Sequence, residues 1–214
     1  MKNEKYLFAY YSGIIGLIVT PVAILISYLL EPDYNPFLQT ISKLGITDRG
    51  QYVFILGAML GGLSLVIFHY YYFLELSTLN KNIYLARLFG IISGIGLIGV
   101  GIIQDKPEVL HKTIHWLSAV TFFFFTILFI YNISGYLKEK SNEKDITLLI
   151  NSGFIPIAMV LSYIVLSLFN ENIAFGSIVF KIHIIWQKLT VLSFMVWYFL
   201  LFYIVNPKKL KEFQ

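Results

Sequence analysis

The chain has 214 residues, of which 57% are hydrophobic and 13% are charged, with a mean hydropathy of +0.74 and a formal net charge of +4. These values exclude an ordinary water-soluble domain, and the scattering of the basic residues over short loops argues against a nucleic-acid partner. The absence of cysteine excludes disulfide-linked partners, thiolate metal ligands and a cysteine nucleophile.

Long apolar stretches predict an all-α fold, a six-helix transmembrane bundle. Each stretch is long enough to cross a hydrocarbon core of about 30 Å at about 1.5 Å per residue. The first has no obvious small-residue cleavage site, so we expect a retained helix and not a signal peptide. Short connections predict antiparallel neighbours in a single integral membrane domain, residues 1–214. The predicted spans are approximately residues 7–30, 52–74, 83–103, 113–137, 146–169 and 182–205.

The distribution of lysine and arginine predicts the orientation in the membrane. Cytoplasmic segments of membrane proteins carry an excess of these residues. We therefore expect a cell-membrane protein with both termini in the cytoplasm. The predicted cytoplasmic segments hold ten basic residues, Lys2, Lys5, Lys81, Arg87, Lys138, Lys140, Lys144, Lys208, Lys209 and Lys211, against six in the outward segments, Lys43, Arg49, Lys106, Lys112, Lys181 and Lys188.

The first outward loop is predicted to contain a short helix at the membrane interface. Asn35 and Pro36 are typical of an N-cap and first helical position, and apolar residues then recur at intervals of four and three. We expect an amphipathic helix over residues 35–44 that covers the mouth of a pocket. Asp48, with Gln51 three positions later, is predicted to cap the second span.

Glycines in the second and third spans predict close helix packing. Gly57 and Gly61 are four residues apart, as are Gly90 and Gly94. Small residues at this spacing let two helix backbones approach closely in lipid.

Polar residues at the outward ends of the helices predict one outward-facing pocket. Two spans carry them at i, i+4 and i+7, so each set forms a stripe that should avoid lipid. The stripes are His111, His115 and Ser118, and His183, Gln187 and Thr190, with Ser42, Asp48 and Asp105 on the same side.

One interpretation of this pocket is a metal site. Two histidines at i, i+4 direct their imidazoles to a common point, and His183 with Asp105 or Asp48 could complete a zinc shell around His111 and His115. Zinc would then support hydrolysis of a lipid ester or amide through a metal-bound water. His115 and His183 are predicted to be the deepest members of this site.

Two further interpretations remain open. The six outward basic residues could bind an anionic lipid head group without a metal, although lysines near helix ends commonly extend to the interface. Transport would need polar groups continuing to the inner side, but residues 120–130 are almost wholly apolar. His69, within the sequence HYYY, is assigned to an inner aromatic belt.

Four segments carry a family resemblance: ISKLG at 41–45, GIGLIGVGIIQD at 94–105, HKTIHW at 111–116 and IWQKL at 185–189. The chain resembles the prokaryotic membrane family named domain of unknown function 998, and is distantly similar to the six-helix DRAM and Frag type proteins. A looser likeness to alkaline ceramidase-like hydrolases fails in helix number and in the position of HxxxH, so their activity is not transferred. The family pattern points to Ser42, Leu44, Gly45, Asp105, His115 and Trp116.

The resemblance implies an uncharacterised membrane protein, with a lipid-related role suggested by the eukaryotic relatives. We therefore expect membrane lipids as partners, bound through the outward pocket. The alternatives are a zinc-dependent intramembrane lipid hydrolase and a small-molecule transporter. The predicted ligand-binding residues are Ser42, Asp48, Arg49, Lys112, Trp116, Lys181 and Gln187, and the candidate catalytic residues are Asp105, His111, His115, His183 and Ser42.

Overall fold

A computed structural model describes residues 2–74, 80–104, 108–140, 144–168 and 177–206, with residues 2, 3, 140, 167 and 168 described by their backbone alone. These residues form six long α-helices and one short 3-10 helix, with no strand among them. The helices are α1 (Lys2–Leu30), the 3-10 helix (Ile41–Ile46), α2 (Gln51–Tyr72), α3 (Lys81–Ile102), α4 (Val109–Lys140), α5 (Lys144–Leu168) and α6 (Ile178–Ile204).

All six long helices are long and apolar enough to cross a membrane, which confirms the predicted multi-pass architecture. Helices α4 and α6 begin four residues before the predicted spans, at Val109 and Ile178. Six crossings put the start of α1 and the end of α6 on the same side, here called the terminal face. The opposite side, which carries the 3-10 helix, is called the loop face.

The helices pack mainly against their neighbours in the chain. Helix α2 lies between α1 and α3, α3 packs along α4, and α5 joins α4 to α6. Helices α1 and α6 close this ring with much less contact. The ring therefore has one weakly sealed edge, between its first and last helices.

The predicted close packing of the glycine-rich spans is confirmed. A Cβ added to Gly57 would lie 2.1 Å from the Cβ of Ala23 on α1, so α1 and α2 are almost in backbone contact there. A Cβ on Gly62 would lie 2.7 Å from the carbonyl oxygen of Gly94, which fixes the approach of α2 to α3. Glycine is required at these points because any side chain would push the helices apart.

Large aromatic side chains fill the bundle near the terminal face. Phe68, Phe129 and Trp197 are buried, and the Phe129 ring lies 5.8 Å from that of Trp197 in an edge-to-face arrangement. These rings hold α2, α4 and α6 at a distance set by side chains instead of by glycine contacts. A cavity lies on the loop-face side of these rings, with Phe54, Phe122, Phe123 and Phe194 in its wall.

The first loop folds differently from the predicted single helix over residues 35–44. Asn35 does cap a turn, because its side chain accepts a hydrogen bond from the backbone of Phe37 (2.9 Å), but this turn ends by Gln39. The 3-10 helix Ile41–Ile46 follows, and buries Leu44 against α2. A break at Thr40, which is extended, separates the two pieces.

The predicted capping of α2 by Asp48 is wrong. The N-cap is Gly50, and the carboxylate of Glu31, at the end of α1, accepts hydrogen bonds from the backbone N–H groups of Arg49 and Gly50 (2.6 Å to Gly50). The Gly50 bond is the main reason that the pKa of the Glu31 carboxyl lies below its ordinary value of 4.5. A carboxylate from the preceding helix can reach these donors because α1 and α2 meet closely at the loop face.

This cap predicts a pH-dependent contribution of Glu31 to stability. A carboxyl whose pKa is lowered by folding stabilises the protein above its unfolded-state pKa, and this contribution is lost as the pH falls through the folded-state value. Glu31→Gln should therefore lower the melting temperature in detergent at pH 7, with the difference from the parent narrowing below about pH 4.5. Asp48→Asn, at an exposed neighbouring carboxylate, is the control and should change little. A pH-independent difference, or an equal effect of Asp48→Asn, would refute the cap as the cause.

Candidate functional site

A cavity of about 150 Å³ extends from the loop face into the middle of the bundle. Five of the six long helices and the 3-10 helix contribute to its wall; α5 does not. Along α6 the lining runs from Gln187 to Tyr198, a rise of about 16 Å at about 1.5 Å per residue. Its length is therefore about half of a hydrocarbon core of roughly 30 Å.

Most of the wall is apolar, and the polar side chains near the loop face form a rim. The apolar part includes Leu65, Leu97 and Phe194 from three different helices. No aspartate, glutamate, lysine or arginine occurs among the described lining residues. The polar rim consists of Ser42 on the 3-10 helix, His115 on α4 and Gln187 on α6.

His115 connects the rim to the end of α3. It is buried, and its Nδ1 donates a hydrogen bond to the carbonyl oxygen of Ile103 at 2.5 Å. Nδ1 must carry the proton in this bond because a carbonyl can only accept. In the neutral ring, Nε2 is then the acceptor nitrogen, and it is the atom through which His115 can bind an occupant.

The segment 34–42, here called the strap, is tied across the loop face to α6. The Gln187 side chain accepts a hydrogen bond from the backbone N–H of Ile41 (3.0 Å), and the Lys188 ammonium donates to the carbonyl oxygen of Gln39 (2.8 Å). The Tyr34 hydroxyl donates to the carbonyls of Gln39 and Thr40. Burial raises the pKa of Tyr34 to about 12, so this hydroxyl stays protonated at physiological pH.

The deeper polar groups of the cavity are bonded within the protein. Tyr198 lines the floor, and its hydroxyl lies 3.2 Å from Nε2 of His69. Thr20 donates to the carbonyl oxygen of Gly57 (3.3 Å). His69 is fully buried among aromatic rings, which corrects its predicted place in an interfacial belt.

Sequence reasoning missed the contribution of α1 to the cavity. Thr20 and Pro21 both line it, and they stand side by side in a span that is otherwise apolar around them. A proline inside a helix cannot donate to the carbonyl four residues earlier, here that of Leu17, which also lines the cavity. A polar residue next to proline in the middle of a span was the available signal.

The structure brings together three of the predicted site residues at the rim of the cavity. Ser42, His115 and Gln187 share the rim. His183 is buried and is not a lining residue. Its ring stacks on Tyr163 of α5 at 5.1 Å, and the Tyr163 hydroxyl accepts a hydrogen bond from Gln187 at 3.3 Å, so the predicted site shared by His115 and His183 stays a prediction. Exposed residues outside the lining are Asp48, Arg49, His111, Lys112, Trp116 and Lys181. Asp105 and Lys106 lie outside the described residues.

The described part of the predicted zinc set does not fit a metal ion. His111 is half exposed and lies 3.9 Å from the Glu108 carboxylate, whereas His115 and His183 are buried in different surroundings. Among the described residues, no three His, Asp or Glu side chains are grouped so that they could hold a metal. Tetrahedral zinc needs three or four such ligands about one point, and the described residues do not provide them.

The fold and the cavity define a multi-pass helical membrane protein with an apolar chamber that has a polar rim on one side. The family model described as "Protein of unknown function (DUF998)" matches residues 14–203, and the chain belongs to this family. No curated protein and no solved structure matches the chain. The distant similarity to the DRAM and Frag type proteins stays a prediction.

Proposed function

We propose that this protein binds a membrane lipid, with an apolar chain in the cavity and the polar head group at the rim. The observation that carries the proposal is the separation of polarity along the cavity. Ser42, His115 and Gln187 stand at the loop face, whereas the wall below them is lined mainly by apolar side chains such as Leu65, Leu97 and Phe194. An amphiphile has the same separation, with hydrogen-bonding atoms at one end and an apolar chain at the other that needs no hydrogen-bond partners.

The surroundings of the rim favour a head group that carries negative charge. Lys43 directly follows Ser42, and Lys188 directly follows Gln187, so two half-buried basic residues adjoin the rim. The lining residues that the structure describes include no formally charged type, which suits the uncharged linkage and chain of a lipid. The head group would therefore reach outward past the rim toward the two lysines.

The lysine and arginine bias supports an orientation for this site. With ten basic residues on the predicted cytoplasmic side and six on the other, both termini are inferred to be cytoplasmic in the cell membrane. The loop face, with the rim, would then be outward. The lipid would belong to the outer of the two leaflets.

Neither hydrolysis nor transport gains comparable support. Among the described residues, the histidine and carboxylate side chains are not grouped so that they could bind zinc. Buried aromatic rings, among them Phe68, Tyr72 and Phe202, occupy the bundle between the Tyr198 floor of the cavity and the terminal face. A polar solute would have to displace these rings to cross the membrane.

The test is the lipid content of the purified protein, measured by native mass spectrometry in mild detergent. The parent protein is expected to carry about one lipid per chain. Ala119→Trp places an indole in the cavity and should reduce bound lipid at least tenfold. Ala158→Trp is the matched control, since Ala158 is exposed on α5 and does not line the cavity, and it should retain the lipid. Equal lipid content in the two variants, or none in the parent, would overturn the proposal.

A further inference from the structure

Helices α1 and α6 are in firm contact near the terminal face. The Tyr10 hydroxyl donates to the carbonyl oxygen of Phe202 (3.0 Å), and the two rings lie 5.8 Å apart. A Cβ added to Gly13 would lie 2.4 Å from the Phe202 ring. The end of this helix pair at the terminal face is therefore tightly closed.

Closer to the loop face, the same two helices border the cavity. The lining includes five residues of α1 between Gly16 and Ile24, and four residues of α6 between Val191 and Tyr198. Leu17, Pro21, Val191 and Met195 are half-buried and line the chamber where α1 and α6 make little contact with each other. Residues 16–24 rise about 12 Å along α1, so this loosely packed part of the helix pair, here called the seam, has the length of about two helical turns.

The strap closes the seam at the loop face. Gln39 and Ile41 are hydrogen-bonded to Lys188 and Gln187 of α6, and the strap itself continues from the end of α1. The seam is thus bounded at the loop face by the strap and toward the terminal face by the Tyr10–Phe202 contact.

The size of the cavity limits what can enter. A volume of about 150 Å³ is comparable to that of a protein cavity that takes one benzene molecule, so the chamber holds part of one hydrocarbon chain and not two side by side. A membrane lipid with two chains could place one in the cavity only if the other stayed in the bilayer. That arrangement requires an opening along the side of the bundle, at the depth where the seam lies.

We propose that the seam is a lateral portal through which a single lipid chain passes between the bilayer and the cavity. This inference rests on the proposed lipid-binding function. The lipid comes from the leaflet at the loop face, because the cavity is about half a hydrocarbon core long and has its polar rim there. The strap holds the head group end in place, while the chain enters between α1 and α6.

The test closes the seam with a reversible cross-link in the full-length chain, which has no cysteine of its own. Leu17→Cys and Met195→Cys, on opposite sides of the seam, are joined after purification by a reducible bismaleimide. The matched control joins Ile155→Cys on α5 to Leu192→Cys on α6, both on a lipid-facing groove away from the seam. Each protein is placed in vesicles of perdeuterated phosphatidylcholine, and loss of its co-purified lipid is followed by native mass spectrometry.

The cross-linked seam should slow lipid release at least tenfold, and reduction of the linker should restore it. The control cross-link should leave the release rate unchanged. If lipid is bound but leaves at the same rate through a cross-linked seam, the portal is wrong and the lipid-binding function stands. If no lipid is present in any of the proteins, both proposals are overturned.

Discussion

Gly62→Ala is expected to destabilise the bundle by about 1–3 kcal/mol, the usual cost of forcing an extra methyl group into a packed site. The added Cβ would lie 2.7 Å from the carbonyl oxygen of Gly94 and 2.8 Å from the backbone nitrogen of Ile98. Backbone atoms cannot rotate away as a flexible side chain can, so α2 and α3 must separate. The free energy of unfolding, measured by titration with sodium dodecyl sulfate in mixed micelles, checks this expectation.

A double substitution tests whether the close contact between Gly62 and Gly94 is the cause of this loss of stability. Once Gly62→Ala has separated α2 from α3, Gly94→Ala should cost less than it does alone, so the two effects should be less than additive. Gly135→Ala is the control, because a Cβ there meets only the Asn82 amide at 3.6 Å. The proposed contact is wrong if Gly135→Ala destabilises as much as Gly62→Ala, or if the two glycine effects simply add.

Phe129→Ala is expected to cost about 2–4 kcal/mol. Phe129 is fully buried, and its ring lies 4.3 Å from that of His69 and 5.8 Å from that of Tyr198. In a soluble core this truncation costs about 3–5 kcal/mol, from lost apolar transfer and from the remaining cavity. In a membrane the transfer contribution is smaller because the alternative surroundings are also apolar, so the lost packing dominates.

Phe124→Ala on the same helix is the matched control, since Phe124 is 46% exposed on the lipid-facing side of the bundle. It should cost less than about 1 kcal/mol, because the lipid can fill the space that the ring leaves. The same titration in mixed micelles measures both variants. Equal losses in the two would mean that the aromatic cluster contributes no specific packing.

Local sequence signals were sufficient wherever one helix or one close contact decided the outcome. The apolar lengths of the spans predicted six crossing helices, and the four-residue spacing of Gly57 and Gly61 predicted a close approach of helices. Both follow from constraints that act along one helix: the thickness of the membrane and the absence of side chains on one helical face. The membership in the family also followed from short segments of sequence.

The loop was predicted less well, because its contacts are made with distant parts of the chain. A capping residue for α2 was sought next to it in sequence, at Asp48, but the cap comes from Glu31 at the end of α1. The strap is held by Gln187 and Lys188, which follow it by almost 150 residues. Neither partner can be found without knowing which helix ends lie side by side.

By itself, the sequence determined the membrane architecture and the grouping of polar residues at the ends of helices. The tertiary structure alone decided which of them meet. His183, Gln187 and Thr190 do share one face of α6, but that face borders both α5 and the cavity. His183 stacks on Tyr163, whereas Gln187 donates to the Tyr163 hydroxyl and also lines the rim. Helical periodicity fixes which residues lie on the same side of a helix. The rotation of that helix against its neighbours, set by contacts such as that of Gly62 with Gly94, fixes what each side touches.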